Sequence, residues 1–143
     1  MMTVQRAILA FALATCVANS LAAQEAPVQL GIELNTLDDS AAGCRLTFVV
    51  TNRLGGPLDS AVFETVLFTR DNVVERLTLF DMQVLPDQRM RVRQFEVPGL
   101  ACSQLGAVLI NGPHACAGPD IEQAVCARSI ETSSRVSDVE VLG

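Results

Sequence analysis

Residues 44 to 80 read CRLTFVVTNRLGGPLDSAVFETVLFTRDNVVERLTLF, three runs of apolar and β-branched residues separated by two stretches that cannot continue them. In the first run Leu46, Phe48 and Val50 recur at every second position, the period that turns one face of a strand toward a core. RLGGPLDS, with two glycines and a proline, ends that run. The second run, AVFETVLFTR, is apolar at both parities, as a central strand covered on both faces is. Asp71 and Asn72 then tolerate the left-handed backbone of a tight turn, and VVERLTLF returns as the next strand.

The same pattern extends outward in both directions. Val28, Leu30, Ile32 and Leu34 alternate with Gln29, Gly31, Glu33 and Asn35, which predicts a half-buried strand before DDSAAG. Downstream, VLPDQ is a turn with Pro86 setting its backbone. In RMRVRQFEV, Met90 and Val92 share one parity while Phe95 and Val97 hold the other, so a bulge near Arg93 or Gln94 is expected to restore a single buried face. AVLIN and RSIETSSRV supply two more strands. The segment from Gly112 to Val125 reads as the longest piece without strand character, with room for one helical turn at PDIEQAV, where Asp120 follows Pro119. The last residues are expected to fray. Seven or so short strands and no sustained helical period predict an all-β fold, an immunoglobulin-like antiparallel β-sandwich, in one domain over residues 24–143.

Residues 1–23 carry a different signal. Arg6 precedes an apolar run from Ala7 to Ala18, and small residues follow at Ser20, Ala22 and Ala23. That is the three-part layout of a signal peptide cleaved near Ala23, by the unfolded-chain export route, since no Arg-Arg pair precedes the apolar run. The run is too short to span a membrane, and no later segment is long enough. Leu13-Ala14-Thr15-Cys16 is close to a lipoprotein site, but Thr15 is bulkier than the residue such a site takes, so Cys16 is read as discarded with the leader. The expected location is periplasmic or secreted.

Without its leader the chain keeps nine of ten arginines and all sixteen acidic residues, and it has no lysine. An excess of seven negative charges argues against nucleic acid as a partner. Four cysteines remain, Cys44, Cys102, Cys116 and Cys126, and an oxidising compartment makes two disulfides the expectation. In the expected topology the strand ending before Cys102 runs antiparallel beside the strand that opens at Cys44. This pairs Cys44 with Cys102 and leaves Cys116 with Cys126; the exchanged pairing is the alternative.

From Leu46 to Val97 the chain resembles bacterial immunoglobulin-like modules of the FxLYD type, through VTN at Val50–Asn52, LFTRDN at Leu67–Asn72, LPD at Leu85–Asp87, and Phe95. Thr69 stands where that pattern has Asp, and Asn72 and Asp87 stand where turn glycines are usual. The chain is also similar to small exported alphaproteobacterial proteins with a cysteine opening the second strand and PGLAC after the fifth. Neither resemblance implies catalytic residues.

Two constellations carry candidate chemistry. His114, the lone histidine, sits beside Cys116 in HAC, and with Cys126, Asp120, Met82 or Met90 would make a metal site if the cysteines were free thiolates. Oxidation removes those thiolates, so no metal or other cofactor is expected. Arg89, Arg91 and Arg93 repeat at a spacing of two and so share one strand face. They are candidates to grip an anionic glycan or a carboxylate-bearing envelope protein, or to pair with Glu64 or Glu75 across strands. There is no C-x-x-C pair, no G-x-S-x-G elbow and no catalytic pair of carboxylates beyond the turn residues Asp38 and Asp39, so a non-enzymatic binding or envelope-assembly role is expected.

Overall fold

The structure, a computed structural model, describes residues 27–143; the leader, Cys16 and the cleavage position lie outside these residues. In chain order the elements are β1 (Gln29–Asp39), β2 (Gly43–Arg53), β3 (Ser60–Thr69), β4 (Val74–Asp81), β5 (Met90–Pro98), a 3-10 turn at Cys102–Gln104, β6 (Leu105–Ala117), α1 (Gln123–Arg128), β7 (Ile130–Ser134) and β8 (Glu140–Leu142). They form two four-stranded sheets, ordered β5-β2-β1-β7 and β4-β3-β6-β8. The all-β sandwich that the alternating runs predict is thus present, with eight strands.

The core follows from the period-two pattern. Leu30, Ile32 and Leu34 of β1 and Leu46, Phe48 and Val50 of β2 meet Phe63 and Leu67 of β3 and Val108 and Ile110 of β6, all buried. Each such side chain contributes about 1.5–3 kcal/mol when removed from water. Near the open side of the sandwich Phe80 of β4 stacks on Phe95 of β5 with ring centroids 4.1 Å apart, and Phe48 meets both rings at 5.8 and 6.0 Å. This aromatic cluster joins the edge strands of opposite sheets, where among the described residues each strand has a neighbour on one side alone.

Both disulfides form as the topology requires, Cys44–Cys102 with a Cα–Cα distance of 4.8 Å and Cys116–Cys126 at 6.2 Å. Cys44 pairs in register with Val97, so the chain leaving β5 returns within reach of the start of β2. Gly43 makes this approach possible: a Cβ there would stand 2.2 Å from the Val97 carbonyl oxygen.

Four details differ from the sequence reading. First, β5 pairs with β2 in unbroken register from Pro98 to Met90, with no bulge at Arg93 or Gln94. The change of parity is real, but it places Arg91 and Arg93, rather than Met90 and Val92, on the side facing the other sheet. Second, β6 runs on through Gly112 and Pro113 to Ala117, where a loop was expected. Register shifts against β3 and a positive φ of 149° at Gly112 absorb the two breakers. Third, the helix begins after Glu122, three residues beyond the Pro119-Asp120 start signal. Fourth, the terminal residues pair instead of fraying. β7 adds to β1 in parallel, and β8 adds to β6 in parallel, so the sandwich is not wholly antiparallel. The reversal between them carries the chain from one sheet to the other, buries Val139 and Val141, and is held by the Thr132 hydroxyl donating to the Val141 carbonyl at 3.0 Å.

Candidate interaction surface

The arginine triplet does not assemble into one exposed row. Arg91 lies opposite Val50 and Arg93 opposite Phe48, on the inter-sheet side of edge strand β5. Arg93 donates from Nε to the Met82 carbonyl at 2.7 Å and from Nη2 to the Val84 carbonyl at 3.2 Å, both just beyond β4. From the other sheet, Arg76 of β4 donates to the Pro98 carbonyl at the end of β5 at 3.0 Å. These two arginines lace the seam between the edge strands and satisfy carbonyls that strand pairing leaves over. Arg89 precedes β5 and is exposed. Glu75 pairs with Arg76 and Glu64 accepts from Asn111, so neither acid meets the triplet.

The histidine cluster is likewise dispersed. His114 is exposed on β6, Cys116 and Cys126 are joined to each other, Met82 is buried in the core, and Met90 is exposed on the opposite sheet. A disulfide offers no thiolate to a metal. Among the described residues no three His, Cys, Asp or Glu side chains converge as metal ligands.

The outer faces of the two sheets differ in chemistry, although the first also exposes Met90 and Val92 on edge strand β5. On the first sheet, polar pairs cross the strands. Arg45 donates to Glu96 at 2.5 Å, Arg135 to Glu33 at 2.9 Å, and Gln94 to the Thr47 hydroxyl at 3.1 Å. The Ser40 hydroxyl donates to Glu96 at 2.7 Å; this bond first, and Arg45 second, holds the Glu96 carboxyl below its usual range. Asn35 and then Arg135 do the same for Glu33. We expect Ser40→Ala to return Glu96 toward an ordinary carboxyl value, by more than Arg45→Gln does, in an NMR titration of the side-chain carboxyls; equal or reversed effects would contradict the assigned cause. Because the folded value is depressed, the interaction stabilises above the unfolded carboxyl's pKa and is lost as pH falls through the folded one.

The second sheet presents apolar side chains outward instead. Leu77 of β4 lies opposite Val66 of β3, Val66 opposite Leu109 of β6, and Leu109 opposite Leu142 of β8, a continuous row across all four strands. Beside it runs a second row of Val74, Phe68 and Ala107 ending at Glu140, and Leu79 adjoins on the other side. Exposure is concentrated on the outer strands, with Leu77 58 % exposed, Val74 57 %, Leu79 46 % and Leu142 45 %, while Phe68 and Leu109 are half-buried and Val66 and Ala107 between them are buried by their neighbours. Charged residues stand at the margins: Glu64, Asp81 and Glu140, with Arg70 just past the end of β3.

This surface is bordered by an open strand edge. β4 hydrogen-bonds to β3 on one side and, among the described residues, has no strand on the other. Its sequence VERLTLFD contains neither lysine nor proline, and its charged residues, Glu75, Arg76 and Asp81, stand toward its ends, leaving Leu77 and Leu79 between them. AVFETVLFTR carries this signal in its apolar residues at both parities, a pattern that from sequence alone fits a strand covered on both faces. β3 is central in its sheet, yet no layer of this chain lies over its outer side among the described residues. Comparison with protein-family models, with curated proteins and with solved structures returned no match.

Proposed function

We propose that the protein is an exported, non-enzymatic binding module that acts in envelope assembly. The observation that carries this reading is the apolar outer face of the second sheet. An apolar face of this kind, exposed along β4 and β8, is unfavourable in water and marks interaction surfaces. Its acidic margin and aliphatic centre favour a protein partner over an anionic glycan, and Arg91 and Arg93 are engaged at the sheet seam rather than offered to an anion. Export is supported by the leader and by two disulfides, which persist in oxidising compartments; among the described residues no helix is long and apolar enough to cross a membrane.

The test is site-specific photo-crosslinking in exporting cells. A crosslinker at Leu77 is expected to capture a protein partner, whereas one at Glu131, exposed on the first sheet, is expected to remain unreacted. No adduct at Leu77, or equal capture at both positions, would overturn the reading.

A further inference from the structure

Resting on that reading, we propose that the occupant of the second sheet's outer face is a second copy of this chain, packed sheet on sheet about a two-fold axis. Three features favour self-association. The first is area. Three strands of about eight residues and the three residues of β8, at roughly 4.8 Å spacing and roughly 3.3 Å rise, give a flat footprint of about 430 Å² per copy. Two copies bury about 860 Å² before side-chain relief adds to it, the size of a weak, reversible interface.

The second feature is self-complementarity. A two-fold interface sets each surface against itself. An axis laid along the Leu77–Val66–Leu109–Leu142 row keeps that row at the centre of both partners. It turns Glu64 toward the Phe68 row of the second copy instead of toward its own equivalent. The same rotation exchanges the ends of the patch and sets Leu79 of one copy against Val74 of the other, apolar against apolar.

The third feature is the planar, strand-built character of the face. Outward side chains at period two on stacked sheets can interdigitate at about 10 Å separation, so no rearrangement of either copy is required. Each copy carries seven excess negative charges after loss of the leader. Their repulsion acts over about 10 Å at 0.1 M salt and weakens as salt rises, whereas apolar burial does not.

Sedimentation or light scattering of the full exported chain tests this, with detection by refractive index because the chain has neither Trp nor Tyr. We expect a dimer at about 100 μM, the range appropriate to a modest interface, which tightens when salt is raised. Leu77→Glu and Leu142→Glu alter side chains exposed in the monomer, so far-UV circular dichroism is expected to be unchanged. Each is expected to weaken dimerisation at least about tenfold, because it buries an unpaired charge. A chain that is monomeric at about 100 μM, or a dimer indifferent to both substitutions, overturns the proposal. The Leu77 crosslink separates the two readings: a monomeric chain that captures a different protein there retains the binding module and loses the self-pairing, and failure of both removes both.

Discussion

Replacing Asn52 with leucine is expected to destabilise the protein by about 3–5 kcal/mol, a large part of the stability of a domain this size. Asn52 is fully buried near the end of β2. Its Nδ2 donates to the carbonyls of Gly56 and Leu85, each at 2.9 Å, and its Oδ1 accepts from the Leu54 N–H at 3.0 Å. Its main chain adds a bond from the Gln88 N–H at 2.9 Å. One amide thereby ties β2 to the loop before β3 and to the segment between β4 and β5. Leucine matches the volume but fills none of these roles. The Leu85 carbonyl keeps the Leu58 N–H at 2.9 Å, whereas the Leu54 N–H and the Gly56 carbonyl lose the side-chain partner described above. Each buried group left without a partner costs about 1–3 kcal/mol.

Asn52→Asp separates the hydrogen-bond explanation from simple packing. A carboxylate still accepts from Leu54 but faces two carbonyl oxygens, so the folded state raises its pKa above the roughly 3.9 of the unfolded chain. Its stability relative to the parent is therefore greatest below that unfolded value and is lost as pH rises through the folded one. Urea unfolding followed by far-UV circular dichroism from pH 3 to pH 7 checks both variants. A leucine variant within 1 kcal/mol of the parent, or an aspartate variant whose deficit is flat with pH, would show that the network is not what holds these loops.

Asn52 also marks where the sequence was legible. It ends VTN, one of the pieces carrying the resemblance to FxLYD-type modules, and it follows a run whose alternation predicts β2 almost to its boundaries. The runs of β1 and β2 are readable because period two persists across each, and those of β3, β4 and β5 because turn residues bound apolar runs of strand length. Asn72, with φ of 58°, occupies the left-handed turn position expected of it. β6 was only half legible, because Gly112 and Pro113 are local breakers and their accommodation depends on bulges against β3, a pairing between residues about fifty apart in sequence. β8 is three residues long, and its burial comes from the partner sheet rather than from its own pattern. The candidate site was missed for a related reason. Alternation tells which residues share a face, but whether a second layer covers that face is decided by the whole topology. Arg91 and Arg93 were correctly placed on one face, and their contacts were invisible because the carbonyls of Met82 and Val84 come from the end of another strand.

Removing the Cys44–Cys102 bridge is expected to cost about 4 kcal/mol, and removing Cys116–Cys126 about 3 kcal/mol, from the loop lengths that each closes in the unfolded chain. The separations are 58 and 10 residues, and the entropy of closing a loop grows only with the logarithm of its length, so the ratio is modest although the loops differ nearly sixfold. The larger figure corresponds to roughly 15 °C in midpoint for a domain of this size. Position adds to the difference. Cys44 opens β2 in the first sheet, and Cys102 begins the turn that leads into β6 of the second, its N–H donating to Asp39 at 3.1 Å. The bridge is therefore a staple between sheets, whereas Cys116–Cys126 binds α1 to the end of β6. Paired Cys→Ala variants of each bridge, unfolded thermally and in urea, are expected to keep the parent's strand content at low temperature and to lose stability in that order. The reverse order would mean that the loop from Gly118 to Arg128 governs unfolding and that the aromatic cluster and hydrogen-bonded seam hold the sheets together without the longer staple. With the expected order, the protein's resistance to unfolding depends on oxidation of Cys44 and Cys102, and folding in a reducing compartment would leave the two sheets joined by packing and hydrogen bonds alone at that end.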